Sequence, residues 1–344
     1  MQRHKIIIKD RFCFEAGGHL DELELVYHTS PRPYRPGDKV VWICHAFTGN
    51  SDPEDWWAQL VGKGQLIDPE KYFVVCHNIL CSPYGSSCPV SINQATGQPF
   101  YFDFPDTTIR DIVNAGILVR KHLGIEKIDL MLGPSVGGFQ VFEWCLAEPD
   151  VISNAVFLAT DARVTPYLNA FNECQLMALE ADASFREAAS ASGGEAGLRC
   201  ARTIGVISYR SFDAFCITQK EADSDCLFSD HAAAYQRHQG EKFIRRNFDA
   251  YSYWYLIRSI NSHNLGRGRG GVQAALGQIK SRCLMVNMSN DGYFPPKSGA
   301  EIVSAIPDAR QVVVETVYGH DGFLIENDKL VAVLKPFLSE NGLL

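Results

Sequence analysis

Hydrophobic residues follow two rhythms along this chain. Short, nearly uninterrupted apolar runs occur at residues 39–47 (KVVWICHAF), 72–80 (YFVVCHNIL), 127–133 (KIDLMLG), 154–160 (NAVFLAT), 282–288 (RCLMVNM) and 310–318 (RQVVVETVY). They are bounded by Gly, Pro, Asn or Asp, and several leave no polar face. That pattern predicts strands covered on both sides of a mostly parallel sheet. Between them, residues 107–124 (TTIRDIVNAGILVRKHLG) and 297–306 (KSGAEIVSAI) carry apolar residues at helical spacing. Gly124 closes the first helix, and Pro295 and Pro296 open the second. Strand alternating with helix predicts an α/β fold.

The alternation stops near Thr160. From there to about residue 275 the pattern is helical, as in residues 168–189 (LNAFNECQLMALEADASFREAA) and 197–212 (GLRCARTIGVISYRSF). It breaks at a Ser-Gly-Gly and again at GRGRGG, residues 266–271. The expected organisation is a core built from residues 1–160 and 276–344, carrying a helical lid insertion at 161–275.

The chemistry starts at residues 132–144, LGPSVGGFQVFEW. Ser135 stands where a strand gives way to a helix, with Gly133 before it and Gly137 after it. Gly-x-Ser-x-Gly in that setting is a nucleophile elbow, which predicts an α/β-hydrolase fold. A serine nucleophile needs a base, and the base needs a carboxylate to fix its tautomer. In this fold they follow in the order Ser, acid, His. Four histidines follow Ser135: His231, His238, His263 and His320. The first three fall in the helical segment, whereas His320 follows a strand, where catalytic side chains of such sheets gather. Asp291, at the end of the strand RCLMVNM, is the expected acid. Asp321 is its rival but adjoins His320 in sequence and points away from it. The oxyanion hole is expected from the backbone N–H groups of Val136 and of Phe47, in the loop HAFTGN. His45 of that loop is read as scaffolding.

Composition trims the field. The chain has 344 residues, 46% hydrophobic and 21% charged, enough for a large core. A net charge of −8 argues against nucleic acid and anionic membrane as partners. The start MQRHKIIIKDRF lacks the apolar core and cleavage site of a signal peptide, and no apolar run approaches the roughly 20 residues that span a bilayer. Eleven cysteines, an odd number, sit largely in apolar segments without a CxxC pair. Reduced thiols, no metal site and a cytoplasmic location are expected.

Several stretches together resemble the homoserine O-acetyltransferase family. They are GPSVGG with FEW following, HAFTGN, residues 78–93 (NILCSPYGSSCPVSIN), ISYRS, NSHNLGRGRGG and VYGHDGFLIE. The likeness spans residues 40 to 330 and is closest to actinobacterial members. It implies a ping-pong reaction in which acetyl-CoA, a co-substrate and not a bound cofactor, acylates Ser135. L-Homoserine then takes the acetyl group. It further implies that Arg202, Tyr209 and Asp321 hold the amino acid, and that the lid forms a homodimer interface. Those residue types suit such roles. Arg202 and Tyr209, seven apart, share a helix face, Arg offers a planar fork to a carboxylate, and Asp321 offers charge to an ammonium. Arg210 fits either a structural ion pair or a pocket role. GRGRGG fits either a diphosphate contact through Arg267 and Arg269 or a flexible connector. Where the family usually has glycines this chain has Cys81 and Cys88, in a loop expected near the pocket mouth. Other readings are a succinyl-CoA-dependent or serine-directed acyltransferase, a carboxylic ester hydrolase on the same triad, and a silent interaction protein.

Overall fold

The computed structural model of the chain describes residues 1–221, 227 and 231–344. Eight strands form one sheet: β1 (Gln2–Ile8), β2 (Leu23–Thr29), β3 (Val40–Ile43), β4 (Phe73–His77), β5 (Ile128–Pro134), β6 (Ile152–Leu158), β7 (Arg282–Met288) and β8 (Ala309–Val314). Their spatial order is β1-β2-β4-β3-β5-β6-β7-β8. β2 pairs antiparallel with β1 and β4, and all the remaining pairings are parallel. β3 to β8 lie where the apolar runs place them. β1 and β2 were not foreseen. β1 is an edge strand whose residues are exposed or half-buried, and its basic side chains suit an unpaired edge better than a core pattern.

Successive strand residues face opposite sides, so each central strand feeds two cores. Val40, Trp42, Val75, Met131 and Phe157 join one core, while Val41, Ile43, Val74, Leu132 and Val286 join the other. α1 (Ile109–His122) and α2 (Val136–Ala147) supply Ile112, Val119, Phe139 and Phe142 to the first. α1 begins at a capping box: Thr108 accepts from the Asp111 amide while the Asp111 side chain accepts from the Thr108 amide.

Between β6 and β7 the described residues form helices and turns. The longer ones are α3 (Pro166–Glu180), α4 (Glu195–Ser208), α5 (Phe212–Thr218), α6 (His231–Arg245) and α7 (Ala250–Asn261). α8 (Asn327–Glu340) follows β8 and covers the second core with Leu330, Leu334 and Phe337. The continuous helical pattern over 168–189 is interrupted at Asp182, whose carboxylate accepts from the Ser184 amide and starts a new short helix, Ala183–Glu187. The expected insertion end at residue 275 falls inside another short helix, Val272–Leu276.

Candidate active site

The sharp turn at Ser135 is built by three glycines. Ser135 holds φ +55° and ψ −120°, a conformation a side-chain-bearing residue keeps only where its surroundings enforce it. A Cβ on Gly133 would lie 2.4 Å from the Gly137 backbone, and one on Gly137 would lie 2.1 Å from the Cys44 carbonyl oxygen. One on Gly138 would meet Thr160 at 2.4 Å. Strand β5, helix α2 and the end of β3 therefore pass at a distance only glycine allows. The turn is then fastened, with the Ser135 amide donating to Leu158 O (2.9 Å) and Thr160 Oγ1 donating to Ser135 O (2.8 Å).

β7 and β8 deliver the other two members. His320 Nε2 lies 2.9 Å from Ser135 Oγ, and His320 Nδ1 lies 2.8 Å from Asp291 Oδ2. The second Asp291 oxygen accepts from the amides of Tyr293 (2.8 Å) and Phe294 (3.1 Å). Ser135, Asp291 and His320 are all buried, so these contacts act in a poorly screened environment. Burial by itself lowers the His320 pKa. The charge and hydrogen bond of Asp291, with a further contribution from Asp321, outweigh it and leave the pKa above the ordinary histidine value. Asp291 thus fixes the ring with Nδ1 protonated and Nε2 free to accept the serine proton. Asp321 makes no contact with the His320 ring nitrogens, and its side chain pairs with Arg210 instead.

Phe47 and Val136 line the cavity in front of Ser135. In the loop that carries Phe47, His45 is fully buried, accepts from the Ile79 amide at Nε2 (3.1 Å) and lies 2.9 Å from Ala46 O at Nδ1. Burial pushes its pKa down to about 4, so it is a neutral brace with both nitrogens engaged.

The opposite wall comes from the helical segment, and the cavity between them measures about 210 Å³. Arg202 on α4 and Tyr209 just beyond it both reach this cavity, as does Asp321. The Arg202 guanidinium carbon lies 4.8 Å from the Phe243 ring centre and 5.7 Å from that of Tyr209. Its Nη1 is buried and has no hydrogen-bond partner among the described residues. Arg210 Nε donates to Asp321 Oδ2 at 3.3 Å, which gives it the ion-pair role. Arg246, Asn172 and Tyr293 also line the cavity and were not foreseen. Tyr293 could have been suspected from its place beside Asp291 in NDGYFPP. Asn172 and Arg246 carry no sequence signal, since polar residues on helices and loops are ordinarily solvated.

Cys81 and Cys88 correct an expectation. Neither lines the cavity; both are buried in the core. Burial raises the Cys88 pKa to about 11 and that of Cys81 well above its usual value, so both are unreactive thiols. Cys81 holds φ +69°, the left-handed conformation that a glycine adopts without strain. The ten described cysteines are all free, and Cys226 lies outside the described residues. Among the described residues no cluster of His, Cys, Asp and Glu is suited to a metal ion, and no helix is long and apolar enough to cross a membrane.

Comparison with known proteins bears on this arrangement. A family model for the alpha/beta hydrolase fold matches residues 39–326. A homoserine O-acetyltransferase of Cyclobacterium marinum is 38% identical, with 97% of this chain and 94% of that one covered. One from Moorella thermoacetica is 36% identical, with 95% and 93% covered. Neither organism is an actinobacterium, so these relatives do not bear out the expected nearness to actinobacterial members. Among solved structures, homoserine O-acetyltransferase from Staphylococcus aureus superposes with a TM-score of 0.81 at 29% identity, covering 98% of this chain and 95% of that one. The Bacillus anthracis protein of that name gives 0.89 at 22% identity, with 98% and 97% covered. Esterase E22 gives 0.87 at 21%, with 98% and 100% covered. The last two speak to the fold alone.

Proposed function

The chain belongs to the homoserine O-acetyltransferase family of the α/β-hydrolase fold, and from that premise we propose that it moves an acetyl group from acetyl-CoA to the hydroxyl of L-homoserine. The product is O-acetyl-L-homoserine, for methionine biosynthesis. Ser135 Oγ passes its proton to His320 Nε2 and attacks the thioester carbonyl. The amides of Phe47 and Val136 receive the oxyanion, which collapses as CoA leaves with the proton from His320. The homoserine hydroxyl then gives its proton to His320 and attacks the acetyl carbon. Ser135 departs and takes the proton back.

One observation carries the choice of an amino acid over water. The Arg202 Nη1 is buried and, among the described residues, unpaired in the wall of the same cavity that holds Ser135 and Asp321. A buried donor of that kind is costly unless a ligand meets it, and a carboxylate is its natural partner. Arg210 occupies one oxygen of Asp321, and the other is left for the substrate ammonium. Tyr209 closes the wall between them. An esterase has no need of such a pair.

In this reading residues 161–275 form a lid over a core of 1–160 and 276–344, in a cytoplasmic protein. The lid also serves as the face of a homodimer. Phe212 and Ile217 on α5 are 82% and 68% exposed, a large apolar surface for a helix to leave in water. Sedimentation of wild type against Phe212→Glu tests this: a dimer that becomes a monomer supports it, and a monomeric wild type rejects it.

The activity is tested by following CoA release with a thiol reagent while the acceptor and donor are varied. Release from acetyl-CoA that requires L-homoserine, with O-acetylhomoserine as product, is the expected outcome. Faster release from succinyl-CoA, or with serine, would reassign the substrates. Equal release without an amino acid would make the protein an esterase.

A further inference from the structure

We propose that the Gly-Arg-Gly-Arg turn at the base of the helical insertion, together with Glu143 on the nucleophile helix, is a clamp that sets how acetyl-Ser135 divides between amino acid and water. The inference rests on the acyl-transfer reading above.

The insertion leaves and rejoins the core through one neck. The Val164 amide donates to His263 O (3.0 Å) and the Leu265 amide donates to Ala162 O (2.9 Å), an antiparallel bridge centred on Arg163 and Asn264. The neck rests on α2, the helix that Ser135 opens. His263 stacks on Phe139 with ring centres 4.0 Å apart and planes 16° from parallel, and its Nε2 lies 3.1 Å from Asp161 O. Immediately afterwards the chain makes a turn that closes on itself. A Cβ on Gly266 would lie 2.3 Å from the Val272 nitrogen, and the Gly271 amide donates back to Gly266 O (3.2 Å).

The arginines of that turn are bound to carboxylates, and neither lines the cavity. Arg269 Nη1 lies 2.7 Å from Glu143 Oε2 and directs a hydrogen bond to Leu265 O at 3.0 Å. The Glu143 side chain is 3% exposed, and its other oxygen meets Arg110 Nε of α1 at 3.3 Å. Arg110 also meets Glu15 at 2.9 Å and donates to Arg267 O at 2.6 Å, while Arg267 meets Glu15 at 2.7 Å. The turn is neither a free phosphate site nor a loose connector. It is an ion network between the neck, α1 and α2.

A buried ion pair is costly to separate, so the network gives the neck one position. The triad does not depend on it, because Ser135, Asp291 and His320 stand at strand ends. The amino-acid face does, because α4 carries Arg202 while α3 and α7 carry Leu168, Asn172 and Ile260. A loosened neck therefore leaves the acylation of Ser135 intact and misplaces the acceptor. Water then attacks the ester carbonyl, giving acetate and free Ser135, where homoserine would have given O-acetylhomoserine. Arg269 and Glu143 are positioning residues for the transfer step.

The test is the ratio of acetate to O-acetylhomoserine formed by the full chain from acetyl-CoA and saturating L-homoserine. Arg269→Met is expected to raise that ratio roughly tenfold and to raise the homoserine KM, with CoA release in the absence of amino acid no slower than in wild type. Arg269→Lys should fall between the two. Leu338→Ala, on the buried face of α8 in the second core, serves as a destabilised control with an unchanged ratio. An unchanged ratio in Arg269→Met, or an equal change in Leu338→Ala, overturns the clamp. If Arg269→Met does not fold, Arg267→Met removes only the Glu15 half, and a ratio that stays at the wild-type level instead of rising about threefold is equally decisive. A wild type that makes no O-acetylhomoserine would instead overturn the reading on which the clamp depends.

Discussion

The two walls of the cavity are held in different ways. On the core side, each reacting atom is already matched: Ser135 Oγ to His320 at 2.9 Å, His320 to Asp291 at 2.8 Å, and Asp291 to two backbone amides. Those residues stand on strand ends of a parallel sheet, fixed by backbone hydrogen bonds and glycine contacts. On the helical side, Arg202 is held by the faces of Phe243 and Tyr209 and keeps a buried donor unpaired. The core wall is complete without a substrate, whereas the helical wall is completed by one. The first supplies acyl-enzyme chemistry common to esterases and transferases. In the function proposed above, the second chooses the acceptor.

The sharpest way to break the core wall is Ser135→Ala, expected to lower kcat on the order of 10⁶-fold and to abolish acetylation of the protein. Asp291→Asn keeps the shape but loses the tautomer, and a fall in kcat of about 10⁴-fold is expected from steady-state assays. The same variant tests the electrostatics. His320 must be neutral to act as base, and its folded pKa is held above the ordinary value, so activity falls as pH drops through that raised pKa. Without the Asp291 charge, burial dominates, and the acid limb of the pH–rate profile should move down. Breaking the helical wall has a smaller and different signature. Arg202→Leu should raise the homoserine KM by about 10- to 100-fold, the worth of one charged hydrogen bond, while acylation by acetyl-CoA proceeds at the wild-type rate. Lys at that position should restore little, since it lacks the planar fork. The smallest effect on the pH profile is expected for Asp321→Asn. It should shift the acid limb in the same downward direction as Asp291→Asn but by less, because Asp321 acts on His320 through charge alone.

The core wall was legible in the sequence because its constraints are local. An elbow needs glycines at fixed offsets, and chain order leaves His320 as the histidine at a strand end. The parallel strands were legible for a related reason: burial on both faces writes an apolar run. β1 was missed because an edge strand buries little and needs no such run, and β2, although internal and largely buried, was missed because Glu24 and His28 interrupt its apolar residues. The helical wall was hidden, since Arg202, Asn172 and Arg246 become neighbours only after several helices pack, and nothing in a helical repeat marks which polar residue turns inward. The resemblance to a family supplied Arg202 where spacing could not. It drew attention to Cys81 and Cys88, but a substitution in a loop says little about which way a side chain faces, and both thiols are buried away from the cavity. The arginines of GRGRGG were likewise beyond reading, as their partners Glu143 and Glu15 lie on distant segments.

The most direct test of the division between the walls is a single-turnover experiment. Acetyl-Ser135 enzyme is formed with one equivalent of acetyl-CoA, freed of CoA, identified by mass, and mixed with L-homoserine. If the walls divide the work as described, the acetyl group leaves Ser135 rapidly and appears as O-acetylhomoserine, while without the amino acid it persists. Discharge to acetate at one rate whether or not homoserine is present would contradict it.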